Sequence, residues 1–274
     1  TIQVAAGESL SDISVSVVNS SGAVVTINAT SNGSNSIGSG SGLVLTSPTQ
    51  ITYTAANNTP GVGTFSGISI LGSSGSETVT TRAVDLLTNN PTPSASLNVG
   101  TNLETLVVLG AITAKGAGAS TGGVTLNANV VSFGSDGSIV TTAGDVSITG
   151  AAVIGASGNV TTTTGAINYN GFVSLNRNLT INSTSGNVSF NGEANGENNL
   201  SITTTGTIGL NGPVTATSLT TIGAGAVTLG GAVKTTGTVS FSGAVTGTGG
   251  LTVNSGGAAT FSGAVDTSSS NAIN

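Results

Sequence analysis

Apolar and polar residues alternate in short runs along most of the chain, and in its second half the alternation settles into one recurring phrase. The phrase reads Gly144-Asp-Val-Ser-Ile-Thr-Gly150, Gly165-Ala-Ile-Asn-Tyr-Asn-Gly171, Gly186-Asn-Val-Ser-Phe-Asn-Gly192, Gly206-Thr-Ile-Gly-Leu-Asn-Gly212 and Gly225-Ala-Val-Thr-Leu-Gly-Gly231. A shorter form, Ala258-Ala-Thr-Phe-Ser-Gly263, closes the series. Inside each phrase the period is two, which predicts a strand with one buried face. The second apolar positions are Leu126, Ile148, Tyr169, Phe190, Leu210, Leu229, Phe241 and Phe261, with steps of 22, 21, 21, 20, 19, 12 and 20. Between the phrases lies a second apolar series, Val153-Ile154, Leu179-Thr-Ile181, Leu200-Ser-Ile202, Leu219-Thr-Thr-Ile222 and Leu251-Thr-Val253, so each repeat carries two or more strands.

A unit this short cannot bury its apolar face alone and must stack on copies of itself. The pattern therefore predicts an all-β fold, a parallel β-solenoid of about 20 residues per coil. A β-sandwich is the competing architecture, but its strands have no reason to share a phrase. The step of 12 between Leu229 and Phe241 breaks the rule. Either one coil is shortened there, or one phrase has moved to another side of the solenoid.

Regularity divides the chain at about residue 97. Residues 97–274 carry the regular repeats. Residues 1–96 alternate clearly only in Ile13–Val18, Val24–Ile27, Leu43–Leu45, Ile51–Tyr53 and Gly67–Ile70. Pro91 and Pro93 mark the junction, because proline cannot donate to a ladder. The first part reads as irregular coils of the same solenoid, with a small β-sandwich as the alternative. Arg82–Leu87 could form a helical turn.

Stacking places like positions above one another. The second apolar positions become one continuous spine, in which each fully buried large side chain contributes about 1.5–3 kcal/mol. Asn127, Asn170, Asn191 and Asn211 share one register and predict an asparagine ladder. The glycines closing the phrase, Gly150, Gly171, Gly192, Gly212, Gly231, Gly243 and Gly263, suit corners that need positive φ.

Composition narrows the function. Four Lys or Arg and ten Asp or Glu make the charged share 5%, against roughly 25% in an ordinary domain. The four basic residues, Arg82, Lys115, Arg177 and Lys234, stand far apart, which argues against nucleic acid as a partner. No apolar run is long enough for a membrane helix. With no His and no Cys, Ser–His–Asp and Cys–His catalysis and the usual zinc sites are excluded. Carboxylate chemistry remains, and Glu193 and Glu197 are the only close acidic pair in the repeats. They lie in a Gly/Asn-rich turn with no basic neighbour, the setting of a solvated loop or at most an incidental Ca²⁺ contact, as at Asp136. The reading therefore assigns no catalytic, cofactor-binding or metal-binding residue, no cofactor, and no enzymatic activity.

Phrases such as Gly250-Leu-Thr-Val-Asn-Ser-Gly-Gly257, followed by Ala-Ala-Thr-Phe-Ser-Gly-Ala-Val265, resemble the repeats of very large bacterial surface proteins similar to filamentous haemagglutinin and autotransporter passenger adhesins. The resemblance covers residues 97–274 and implies a right-handed parallel β-helix, secretion, and a place at the cell surface or in the extracellular matrix. It also leaves cell-surface or matrix glycans as possible partners. The repeat runs almost to the last residue without a capping unit, so the chain is expected to be either a piece of a longer array or a subunit that self-associates head to tail into a filament. The working expectation is an extracellular fibre or adhesive stalk. A non-polymerising adhesin, a glycan-binding or glycan-degrading β-helix and an ice-binding solenoid stand as alternatives. Thr161-Thr-Thr-Thr164 and Thr203-Thr-Thr205 hint at an ice-binding row, but neighbouring coils do not repeat it in register.

Overall fold

The computed structural model describes residues 2–3, 9–19, 23–31, 36–37, 43–47, 50–54, 67–71, 77–86, 96–100, 103–114, 123–156, 158–223, 225–248 and 251–266. Every element in them is a β-strand, and parallel pairing stacks the strands into a β-solenoid of about 7 turns and roughly 21 residues per turn. No helix among the described residues is long and apolar enough to cross a membrane.

Each regular coil carries three strands, one on each of three faces. In one coil these are Ile167–Tyr169 on the first face, Val173–Ser174 on the second and Leu179–Ser183 on the third. The next coil repeats them as Val188–Phe190, Ala194–Asn195 and Leu200–Thr203. Each strand pairs in parallel with its counterpart one coil away. Earlier coils fuse the first two faces into one bent strand, as in Val124–Phe133 and Val146–Ile154, whose pairing shifts register between Asn127 and Val130. Gly150 sits at that bend with φ of 106°, a conformation costly for any residue bearing a Cβ.

The interior is one apolar cluster extending from Ile68 to Val253. On the first face Leu126, Ile148, Tyr169, Phe190, Leu210 and Leu229 form the expected spine, and Val99 extends it one coil earlier, all within 1% of complete burial. The spine departs from expectation at Phe241 and Phe261. Leu229 pairs with Gly247, whereas Phe241 and Phe261 stack on each other on the third face, 5.4 Å between ring centroids.

That departure answers the irregular step of 12. Val227 of the first face is followed by Val233 of the second, Val239 of the third and Val245, which returns to the first. The coil is short, and its three side-to-side steps are equal. A phrase such as Leu229-Gly-Gly-Ala-Val233 therefore fits one corner, and its near-copy Phe241-Ser-Gly-Ala-Val245 fits another. The phrase moved, and the coil shortened as well.

The predicted strands of the first part are present: Ser9–Asn19, Ala23–Ser31, Leu43–Ser47, Gln50–Thr54 and Gly67–Leu71 contain the five alternating runs. Ile2–Gln3 and Ser9–Asn19 pair in parallel with Gly67–Leu71 and Glu77–Asp85, and Gly67–Leu71 pairs in turn with Ser96–Val99. From Ser9–Asn19 the pairing continues antiparallel to Ala23–Ser31, then Gln50–Thr54, then Leu43–Ser47. Arg82–Leu87 is not a helical turn: Arg82 to Asp85 complete a strand, Val84 is buried, and Leu87 lies outside the described residues. The proline-marked junction at 91–93 also lies outside them.

Candidate functional site

Asp85, Glu104, Asp145 and Glu193 stand apart and serve the backbone or their neighbours. The Asp85 carboxylate accepts from Thr113 Oγ1 at 2.8 Å, and Glu104 accepts from Asn129 Nδ2 at 2.8 Å. Asp145 accepts the backbone N–H of Ala166 in the next coil at 2.8 Å. Glu193 and Glu197 flank the strand Ala194–Asn195, and Glu193 accepts from Asn195 Nδ2 at 3.0 Å. Among the described residues no group of three or more His, Cys, Asp or Glu could hold a metal ion.

The asparagine ladder is real but shorter than its sequence register. Asn191 Nδ2 donates to Asn170 Oδ1, and Asn211 Nδ2 donates to Asn191 Oδ1, both at 2.8 Å. Thr149 interrupts the row, so Asn170 donates to Thr149 Oγ1 at 3.3 Å and Ser147 Oγ at 3.1 Å, and Asn127 is paired with Thr149 instead of with an amide.

The corner glycines serve a different purpose from the one expected. Of those closing the phrase only Gly150 has positive φ among the described residues. Gly171, Gly192, Gly212, Gly231 and Gly263 are demanded by close stacking. A Cβ on Gly192 would lie 2.5 Å from the Gly171 carbonyl oxygen, and one on Gly212 would lie 2.5 Å from both backbone atoms of the Gly192 carbonyl.

A second column at the corner after the third face went unread in the sequence. Thr141, Thr162, Ser183 and Thr204 are buried polar residues in successive coils. Thr141 Oγ1 donates to Gly144 O at 2.7 Å. Thr162 and Ser183 instead accept the N–H of Gly165 and Gly186, at 3.1 and 2.8 Å. Thr204 accepts from Gly206 N at 2.9 Å and donates to Gly186 O at 2.7 Å. A hydroxyl two or three residues before a corner glycine is the signal: Thr162-Thr-Thr-Gly165, Ser183-Thr-Ser-Gly186, Thr204-Thr-Gly206. These side chains point inward and are lost to the surface, which leaves Thr161, Thr163 and Thr164 of the first run and Thr203 and Thr205 of the second facing outward.

The outward side chains of the third face form two rows. Thr180, Ser201, Thr220, Ser240 and Thr260 are in register along one row, and Thr161, Asn182, Thr203 and Ile222 along the other. The third-face strands from Ser138–Thr141 to Ala259–Phe261 contain no charged residue. Beside the second row, where Thr184 and Thr205 lead into the corner, the surface is hollowed into a groove of about 330 Å³. Ile222, 51% exposed, closes one end, and the chain turns away from it at Gly223 with φ of 70°.

Comparison with protein-family models, with curated proteins and with solved structures returns no match.

Proposed function

We propose that the chain is a non-catalytic structural segment of an extracellular fibre or adhesive stalk, stacking coil on coil within the chain and end to end between chains. The observation that carries this reading is the coaxial organisation of everything cohesive in the molecule. Three parallel ladders, the apolar columns and the side-chain rows at the corners all run along one axis. An axial load on such a rod is shared among the backbone hydrogen bonds of three faces.

Cryo-electron microscopy of native, never-refolded material tests the proposal. The expected result is uniform filaments in which subunits repeat along the solenoid axis and a spacing of about 4.8 Å continues across the subunit boundary. Discrete rods at all concentrations, with no subunit-to-subunit stacking, would reject end-to-end assembly.

A further inference from the structure

We propose that the uncharged third face, centred on the groove beside Thr161, Asn182, Thr203 and Ile222, binds a neutral polysaccharide chain lying along the solenoid axis. The proposal adds a ligand to the stalk and stands apart from whether the chains polymerise.

Four observations point to this chemistry. First, the side chains of Thr161, Asn182, Thr184 and Thr203 make no hydrogen bond among the described residues, although they line the groove. On the first face the outward amides of Asn170, Asn191 and Asn211 are instead bonded to one another. Asn182 keeps both its donor and its acceptor for solvent or a ligand. Second, hydroxyl and amide groups that both donate and accept match the hydroxyls of a sugar, whereas the lack of Lys, Arg, Asp and Glu on the face gives an anionic or cationic polymer nothing to pair with. Third, the groove has an apolar end at exposed Ile222, which suits the C–H face of a pyranose ring. A few placed polar groups beside an apolar surface are the usual make-up of a small-molecule site. Fourth, the rows repeat at the coil spacing of about 4.8 Å. Four coils thus present regularly spaced contacts, polar at Thr161, Asn182 and Thr203 and apolar at Ile222, to a polymer of repeating units. The concavity itself separates this face from an ice-binding plane, which needs flat rows.

The test uses the full chain, dispersed, with neutral hexose oligomers (cello- and malto-hexaose) and an acidic oligogalacturonate as probes. Binding is read by calorimetry and by amide chemical-shift changes. Thr203→Val removes one hydroxyl while keeping a β-branched residue on a strand, Asn182→Ala removes the free amide, and Lys234→Ala on the second face is the control. Unchanged melting curves establish that each variant is folded, and Thr203→Ser, which keeps the hydroxyl, provides the rescue. The expected result is saturable binding of a neutral oligomer, weakened roughly tenfold by the Asn182→Ala/Thr203→Val pair, weakened less by Thr203→Val alone, retained in Thr203→Ser and unaffected by Lys234→Ala. The proposal is overturned if no neutral oligomer binds, if the groove variants bind as well as the parent, or if the acidic probe binds equally well. Ice shaping in a freezing droplet without sugar binding would reassign the face to ice.

Discussion

Tyr169 carries a hydroxyl where the fold has no use for one. Its ring is stacked on Phe190, with centroids 4.8 Å apart and planes within 10° of parallel, and it is completely buried. Its Oη has no hydrogen-bond partner. The ring therefore contributes apolar burial and stacking, while the hydroxyl has lost its water and gained nothing. Tyr169→Phe is expected to raise stability by about 1–3 kcal/mol, the cost of a buried unsatisfied polar group; a denaturant midpoint unchanged or lowered would mean that the hydroxyl is bonded. The same burial pushes the phenol pKa above its ordinary value. Above about pH 10 the unfolded chain releases this proton while the folded chain retains it, so Tyr169 makes the fold less stable as pH rises. The advantage of Tyr169→Phe over the parent should accordingly widen at alkaline pH and stay constant below that range. Denaturation curves of the two proteins at stepped pH measure the difference directly, because every other titrating group is common to both.

Corner chemistry differs from strand chemistry, and the two were not equally legible in the sequence. Strands follow from period-two alternation, and the apolar spine was readable from Leu126 to Leu229 because burial imposes it directly. Corners depend on approach distance. Gly192 looks like a positive-φ glycine in sequence, but its requirement comes from Gly171 lying one coil below it. Gly192→Ala should cost about 1–3 kcal/mol, as overpacking does, seen as a fall in the denaturant midpoint. Full tolerance would mean that the coils can separate slightly at this corner. The asparagine row makes a second element-scale case. Asn191 donates to Asn170 and accepts from Asn211, so Asn191→Ala breaks two bonds, whereas the same change at Asn127, which faces Thr149, breaks none of the ladder. A loss of about 1–2 kcal/mol at Asn191, with little change at Asn127, is expected in paired denaturation curves. Sequence register alone made these two asparagines equivalent, and only the intervening Thr149 distinguishes them. The buried hydroxyl column was missed for a related reason. In a chain this rich in Thr and Ser, an inward threonine is marked only by its distance from the next corner glycine.

At the scale of the whole molecule, stacked coils touch only their neighbours, so stability should be transmitted along one axis and damage should remain near its source. Phe190 offers the sharpest test, since it lies between Tyr169 below and Leu210 above in a column of fully buried side chains. A carboxylate placed there by Phe190→Asp has no cationic partner in the apolar cluster and must draw in water or expel its strand. Phe190→Leu keeps an apolar side chain in the column and serves as the control. Hydrogen exchange in the aspartate variant should show protection lost from Ile167–Tyr169 through Thr207–Leu210, while strands two or more coils away, such as Val239–Phe241, stay protected. Global loss of protection would mean that the coils unfold as one cooperative body. Unchanged protection at Phe190 itself would contradict the inward column. The localised outcome has a mechanical consequence: a rod whose coils fail individually can lose one coil without losing its length, a property that suits a stalk under repeated load.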